Sequence, residues 1–162
     1  MGRAFEFRKA RKKNKFDLNA AKEIKVADKK SKFTKTWLTE NNDGKFSIRF
    51  VADTQKTLSK GLMFTDPLEE YETALFIFPE IGNYSFWNKN VSFALSLAFL
   101  DKNYKIVDIK DMEADDPKSV APDSNNVVFV VEAKKGLFKK LGIGVGDKLF
   151  LKGKKVIFSK KT

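Results

Sequence analysis

Short runs of apolar residues, separated by turn-forming residues, follow one another from residue 46 onward. Residues 74–78 and 127–131 are apolar at every position, which is typical of strands buried on both faces. Residues 46–52 alternate instead, so we expect one face to carry Phe46, Ile48, Phe50 and Ala52. Many short strands of this kind predict a sandwich or a barrel.

Further strands are predicted at 83–87, 91–100, 104–109, 148–151 and 156–158. Pro79 is expected to end the strand at 74–78. A short helix should follow Thr54 as its cap and end at Gly61, after which Leu62, Met63 and Phe64 pack back on the core. A second helix is predicted at 134–142, with Leu137, Phe138 and Leu141 facing inward.

The segment before residue 46 contains two weaker patterns. Residues 17–30 favour a short helix with a thin apolar face, and residues 33–39 favour a strand. The turn signal at 41–44 would join that strand to 46–52 as a hairpin. The predicted fold class is therefore mainly β: a compact antiparallel β-sandwich or barrel-like domain (37–162) with one or two short helices, preceded by a basic N-terminal arm (1–36).

The composition excludes several classes of chemistry. The 162 residues include no Cys and no His, so disulfides, thiolate metal sites, Ser-His-Asp catalysis and Cys-His catalysis are ruled out. No apolar run reaches the ~20 residues of a membrane span, and charges stand where a secretory signal would be apolar. We expect a protein that is not exported, located in the cytoplasm or within an assembled particle, with no membrane partner and no cofactor.

The net charge of +11 is concentrated in the arm. Residues 1–36 contain 13 Lys and Arg against 4 acids (+9), whereas residues 37–162 contain 19 against 17 (+2). Basic residues interleaved with Phe5 and Phe7 can neutralise phosphates and stack on bases. The favoured interpretation is nevertheless a solvated arm, or one that docks its two Phe on a partner or on its own domain. The predicted polyanion-binding residues are Arg3, Arg8, Lys9, Arg11, Lys12, Lys13 and Lys15.

A set of motifs spans about two-thirds of the chain. They are VADT (51–54), GLM (61–63), LFIFP (75–79), FWNKN (86–90), AFLD (98–101) and LGIGVGD (141–147). In this order and spacing, residues 46–152 resemble the family known as domain of unknown function 192. The resemblance implies a compact, mainly antiparallel β fold and no specific activity. The first 12 residues separately resemble the start of YebC-type regulators.

The chain departs from the family pattern at polar positions. The family usually has an arginine where this chain has Leu58 and a basic residue where it has Thr65. Asn88 and Val91 also differ from the family's FW-Met-Lys-Asn-Thr stretch. If those polar positions line a shared pocket, this chain has lost much of its charge.

Several carboxylates are candidates for catalysis, but none is paired by sequence alone. They are Asp53, Asp101, Asp108, Glu132 and Asp147. General acid–base catalysis needs two that converge with separated pKa values. Asp53 and Asp147 are better explained as caps or turn residues. The sequence therefore predicts no catalytic residue and a protein that is not an enzyme.

Two other patterns suggest ligands only superficially. Asp111, Glu113, Asp115 and Asp116 could bind a hard cation, but their spacing does not match a Ca²⁺ loop. We therefore interpret them as a solvated loop and predict no metal. Gly142, Gly144 and Gly146 follow a helix and precede a strand, which is the reverse of a dinucleotide fingerprint.

The best candidate ligand surface combines aromatic and polar residues. Phe86, Trp87, Lys89 and Asn90, with Asp53, could bind a flat or anionic ligand. The favoured interpretation is that Phe86 and Trp87 are core and rim residues of a strand and that Asn90 turns the chain.

Three functions remain open. The first is a non-enzymatic binding or assembly module whose arm docks on nucleic acid or an acidic protein surface. The second is a structural component of a large assembly such as a virion, held by neighbouring subunits. The third is a small ligand-binding or hydrolase-like domain with an eroded pocket.

Overall fold

Eight strands and two short helices make up the part of the chain that the structure describes. The computed structural model describes residues 7–8, 45–152 and 155–159, with side chains from 46 to 149. The strands are β1 (Phe7–Arg8), β2 (Lys45–Ala52), β3 (Glu72–Tyr84), β4 (Leu95–Leu100), β5 (Ile106–Met112), β6 (Val127–Lys134), β7 (Lys148–Lys152) and β8 (Lys155–Ser159). The helices are α1 (Gln55–Lys60) and α2 (Leu137–Lys140).

The strands form one sheet that closes on itself. Their order is β5-β4-β6-β3-β2-β8-β7, and β1 pairs with the end of β3. The two outermost strands of this path meet through an antiparallel bridge between Lys105 and Lys148. The Leu149 N–H also donates to the Tyr104 carbonyl at 2.9 Å, and the Ile106 N–H to the Asp147 carbonyl at 2.8 Å. The predicted mainly β, barrel-like class is therefore confirmed.

One strand pair differs from the antiparallel rule. β2 and β3 are parallel, with Ser47 opposite Glu72 and Ala52 opposite Phe76. Parallel neighbours cannot be joined by a tight turn and need a long crossover. Residues 53–71 supply that crossover and include α1, so the sheet is mixed rather than wholly antiparallel.

The interior of the barrel is a continuous apolar cluster. Alternate residues of β3, β4 and β6 point into it, and α2 adds Leu137 and Phe138, which are 4% and 1% exposed. Leu141 and Ile143 extend the same cluster beyond α2. The inward-facing prediction for Leu137, Phe138 and Leu141 is confirmed, although the helix itself is shorter than 134–142.

A second apolar layer covers the outer face of the same strands. The crossover contributes Leu58, Leu62, Met63 and Leu68, and the segment after β3 contributes Phe86 and Val91. These side chains pack on outward-facing residues of β3, β4 and β6. Because both faces of these strands are buried, their sequences are continuous runs of apolar residues.

β2 contradicts the single-face prediction. Phe46 packs with the barrel interior and Ile48 lies against it, whereas Phe50 and Ala52 belong to the outer layer. The pairing with β3 is irregular between Ile48 and Phe50. An extra residue at such a bulge reverses the alternation, so the two halves of β2 face opposite sides.

β3 also runs further than predicted. It continues through Pro79 to Tyr84. Its pairing with β6 is interrupted between Ile77 and Gly82. Pro79 lies in this interruption, where its missing N–H costs no bond to β6. The predicted strand at 83–87 is therefore wrong in its bounds: Tyr84 ends β3, and Phe86 makes an isolated bridge to Val120.

The remaining predictions agree with the structure to differing degrees. Thr54 begins α1 with a capping box to Thr57, and Gly61 follows it, as expected. Strand β4 is shorter than 91–100, and β5 begins and ends later than 104–109. The predicted helix at 17–30 and strand at 33–39 lie outside the described residues. Neither described helix is long and apolar enough to cross a membrane.

Candidate functional site

Phe86 belongs to the outer layer and is not part of a ligand surface. It is 1% exposed, and its ring makes edge contacts with Phe76, Phe78 and Phe99 at centroid distances of 5.5 to 6.1 Å. Edge-to-face contacts of this kind stabilise aromatic cores. The structural interpretation of Phe86 therefore replaces the ligand-binding one.

Trp87 and Lys89 form a pair beside that layer. Trp87 is half-buried, Lys89 is exposed, and the Lys89 Nζ lies 5.6 Å from the centroid of the indole ring. This distance is within the range of a cation–π interaction. The pair presents a positive charge held against an aromatic face.

Phe64 and Asn90 continue the same surface. The Phe64 N–H donates to the Asn90 carbonyl at 3.0 Å, and both residues have left-handed backbones, with φ of 59° and 60°. Phe64 is 78% exposed, so the prediction that it packs back on the core is wrong. A bulky residue in this conformation is an outlier of the kind that clusters at functional sites.

Asn88 holds the loop that supports this surface. It is fully buried, and its side-chain amide donates to the carbonyls of Phe93 and Glu113 at 2.8 Å each. Its backbone N–H donates to the Asp116 carbonyl at 2.9 Å. Because these bonds tie two loops together, Trp87 and Lys89 lie on a fixed support.

Phe64, Trp87, Lys89 and Asn90 are hereafter called the aromatic loop surface. It combines an exposed ring, a cation and a rigid backbone. An aromatic face can stack on a base and a lysine can neutralise a phosphate. The arrangement is chemically suited to binding, and the described residues of this surface include no nucleophile or acid–base pair.

Asp53 lies at the entrance to α1. Its backbone N–H donates to the Thr57 Oγ1 at 3.1 Å, and Thr54 is the residue that caps the helix. Asp53 thus directly precedes the capping residue rather than serving as the cap.

Three other carboxylates support turns. Asp101 accepts the N–H groups of Asn103 and Lys105 through Oδ1, and Asp147 accepts that of Gly144 through Oδ2. Asp108 accepts the N–H groups of Ile109 and Asp123 and lies 3.4 Å from the Lys110 Nζ. Asp101 and Asp147 are thus engaged within their own turns, whereas Asp108 joins β5 to the loop before β6.

Glu132 is the one fully buried carboxylate among the residues whose side chains are described. It lies in β6 between Ala74 of β3 and Leu97 of β4. On that face the crossover contributes Leu58, which is 4% exposed, to the outer layer. Leu58, where the family pattern has an arginine, is thus part of an apolar core in this chain.

The acidic residues after β5 are dispersed. Asp111 accepts the hydroxyl of Ser96, Glu113 forms an ion pair with Lys135, and Asp116 accepts the Lys118 N–H. Asp115 has a left-handed φ of 52°, and its N–H donates to the Val91 carbonyl. Within the part of the chain that the structure describes, no three potential metal ligands converge.

The basic arm meets the barrel at β1. Phe7 lies opposite Tyr84 and Arg8 opposite Asn83 in antiparallel pairing. This contact is three residues along the chain from Trp87. The other predicted polyanion-binding residues lie outside the described residues: Arg3, Lys9, Arg11, Lys12, Lys13 and Lys15.

Sequence reasoning missed two residues of this site. Nothing in the pattern distinguishes Phe64 from its buried neighbours Leu62 and Met63, because a positive φ leaves no trace in hydrophobicity. Asn88 did carry a signal, since a polar residue in an aromatic run needs buried hydrogen-bond partners.

The sequence profile of domain of unknown function 192, described as an uncharacterized ACR, matches residues 37–151. No curated protein matches the chain significantly.

Two crystal structures share the fold. A protein of unknown function from Novosphingobium aromaticivorans DSM 12444 is 27% identical with a TM-score of 0.59, over 62% of this chain and 73% of that chain. A protein from Sinorhizobium meliloti 1021, described as a putative transcription regulator, is 23% identical with a TM-score of 0.60, over 64% and 79%. The profile match covers more than half of the sequence, and the chain therefore belongs to the domain of unknown function 192 family.

Proposed function

We propose that this protein is a non-enzymatic binding module whose basic arm docks on nucleic acid. The observation that carries the proposal is the pairing of β1 with β3, which joins the arm to the barrel three residues along the chain from Trp87. Because β1 is paired with β3, the basic residues that follow β1 in the sequence are attached to the domain at a defined position.

The charge distribution favours a polyanion as the partner. Residues 1–36 supply +9 of the net +11. Lysines and arginines that neutralise phosphates release condensed counterions, which supplies most of the affinity of non-specific nucleic-acid binding. A nearly neutral barrel adds little to this attraction, so the arm supplies the main electrostatic contact.

The aromatic loop surface favours nucleic acid over an acidic protein. Phe64 is 78% exposed, and its ring could stack on an unpaired base. Lys89, on the same surface, could contact a phosphate once displaced from Trp87. Stacking requires unpaired bases, so the proposal is for a single-stranded segment.

The structural relatives support the fold and leave the activity open. One of the two is described as a putative transcription regulator, but 23% identity carries the architecture alone. The proposal therefore depends on the charge, β1 and the aromatic loop surface.

Neutralising the arm tests the proposal. In the full-length chain, Lys9, Arg11, Lys12, Lys13 and Lys15 are each changed to Gln, which leaves β1 intact. Binding of a fluorescent oligothymidylate is measured by anisotropy at several salt concentrations. The salt exponent should fall by up to ~3.5, at ~0.7 per lost phosphate contact on a single strand.

A matched control removes the same charge elsewhere. It changes five lysines near the other end to Gln: Lys152, Lys154, Lys155, Lys160 and Lys161. If both variants lose binding equally, net charge alone explains it and the arm has no special role. Binding of polyglutamate but not of the oligonucleotide would replace nucleic acid with an acidic protein as partner.

A further inference from the structure

Four lysines cluster where β6 ends and α2 begins. Lys134, Lys135, Lys139 and Lys140 are all exposed. Between them, Leu137 and Phe138 are buried in the barrel interior. The buried pair fixes the turn, so the lysines remain outside on a defined part of the surface.

The turn borders a concave surface. A cavity of about 350 Å³ is lined by Glu70, Lys134, Lys135, Gly136, Leu137 and Lys140, and is called the lysine groove below. This volume is near the lower limit of small-ligand pockets, and the surface is open to solvent. Three of its six lining residues are cations.

Acidic neighbours compensate only part of this charge. Lys140 pairs with Glu70 at 2.6 Å, and Lys135 pairs with Glu113. The hydrogen bond to its partner raises the pKa of each lysine, and the bond from Lys140 lowers the pKa of Glu70. Lys134 and Lys139 form no ion pair with any residue that the structure describes, and of these two lysines Lys134 lines the concave surface.

The floor of the groove is held by hydrogen bonds. The Gly136 N–H donates to the Ser96 Oγ at 2.9 Å, and that hydroxyl donates to the Asp111 Oδ1 at 2.6 Å. Gly136 has a φ of +83°, and no atom lies within 4 Å of the position that a Cβ would occupy. The backbone is thus fixed from below and open above, where a ligand could approach.

We propose that the lysine groove binds a phosphate group of the nucleic-acid backbone. The inference rests on the proposed function but uses residues remote in sequence from the arm. Lys134 supplies the main charge, because it lines the groove and has no ion-pair partner among the described side chains. Glu70 opposes binding, since its carboxylate holds Lys140.

Two substitutions of opposite sign test the groove in the full-length chain. Lys134→Gln should weaken oligothymidylate binding about fourfold at physiological salt and lower the salt exponent by ~0.7, the value of one phosphate contact. Glu70→Gln should strengthen binding, because it releases Lys140. Lys102→Gln, in the exposed turn before β5, is the charge-matched control and should change the affinity less than Lys134→Gln.

Parallel titration with thymidine monophosphate tests whether the groove binds a phosphate of the nucleic-acid backbone or a free phosphate monoester. An effect of Lys134→Gln on the oligonucleotide and none on the monophosphate supports the backbone assignment. An effect confined to the monophosphate overturns it, as does equal behaviour of Lys134→Gln and Lys102→Gln.

The arm variant separates this inference from the proposed function. If neutralising the arm abolishes binding while Lys134→Gln binds normally, the proposed function stands and the groove assignment fails. If the arm variant binds normally while Lys134→Gln is weakened, the role of the arm fails and the groove assignment stands.

Discussion

At the scale of single residues, Phe64 combines an unfavourable backbone with an exposed ring. Its φ of 59° is sterically costly for a side chain with a Cβ, and 78% of the residue remains accessible to solvent. Core packing cannot explain the conformation, because Leu62 and Met63 supply the buried contacts of this segment. The proposed binding role accounts for the exposed ring, which a glycine would lack.

Replacing Phe64 with Gly should separate stability from binding. The backbone strain is relieved, so the free energy of unfolding should rise by about 1 kcal/mol in urea titrations. Oligonucleotide affinity should fall, because a stacked base contributes roughly 1 to 3 kcal/mol. Phe64→Tyr keeps the ring and should retain affinity. A glycine variant that binds as tightly as the native chain would remove Phe64 from the interface.

At the scale of elements, Arg49 stabilises the bulge in β2. Its guanidinium donates to the carbonyls of Asp66 and Pro67 at 2.7 and 2.6 Å and to the Glu72 carboxylate at 2.5 Å. These bonds hold the end of the crossover against the start of β3. The hydrogen bond from the Glu69 N–H, with a smaller contribution from Arg49, lowers the pKa of Glu72.

Arg49→Met should therefore lower the free energy of unfolding by about 1 to 2 kcal/mol, since it leaves two carbonyls and a carboxylate without this donor. Chemical denaturation measures the change. Lys56→Met, on an exposed position of α1, removes the same charge and should have little effect. Equal stability of the two variants would show that the Arg49 bonds contribute nothing net.

The elements around β2 show which features of the fold the sequence could predict and which it could not. Thr54 and Gly61 mark the two ends of α1 through local chemistry, so the helix was predictable. The continuous apolar runs of β3 and β6 reflect burial on both faces, so these strands were predictable as well. The bulge at Arg49 was not predictable. The alternation of the sequence continues unbroken through 46–52, whereas the register of β2 shifts against β3. In the candidate site, Trp87, Lys89 and Asn90 were predicted together, whereas Phe64 joins them only through a long-range backbone bond.

At the scale of the whole molecule, burial of Tyr84 links stability to alkaline pH. Tyr84 stacks on Phe78 with ring centroids 3.7 Å apart, and its hydroxyl donates to the Glu80 carbonyl at 2.5 Å. Burial raises the pKa of Tyr84 to about 12, and Glu80 adds to the shift. Burial also raises the pKa of Tyr104.

A raised pKa means that folding favours the neutral phenol. The stability contributed by Tyr84 should be complete below about pH 10 and decline as the pH rises to about 12, by roughly 3 kcal/mol for a shift of two units. Urea unfolding across this range measures the loss. Tyr84→Phe should be about 1 kcal/mol less stable near neutral pH and decline less on alkalinisation. An identical decline in both proteins would assign the effect to other groups.

The pairing of β2 with β8 has a consequence for synthesis. Lys45 of β2 lies opposite Ile157 of β8, so β2 cannot complete this pairing until residues 112 positions further along the chain have been synthesised. Contacts this distant in sequence form late and fold slowly. The basic arm precedes β2 in the chain, so it is synthesised before the barrel can close.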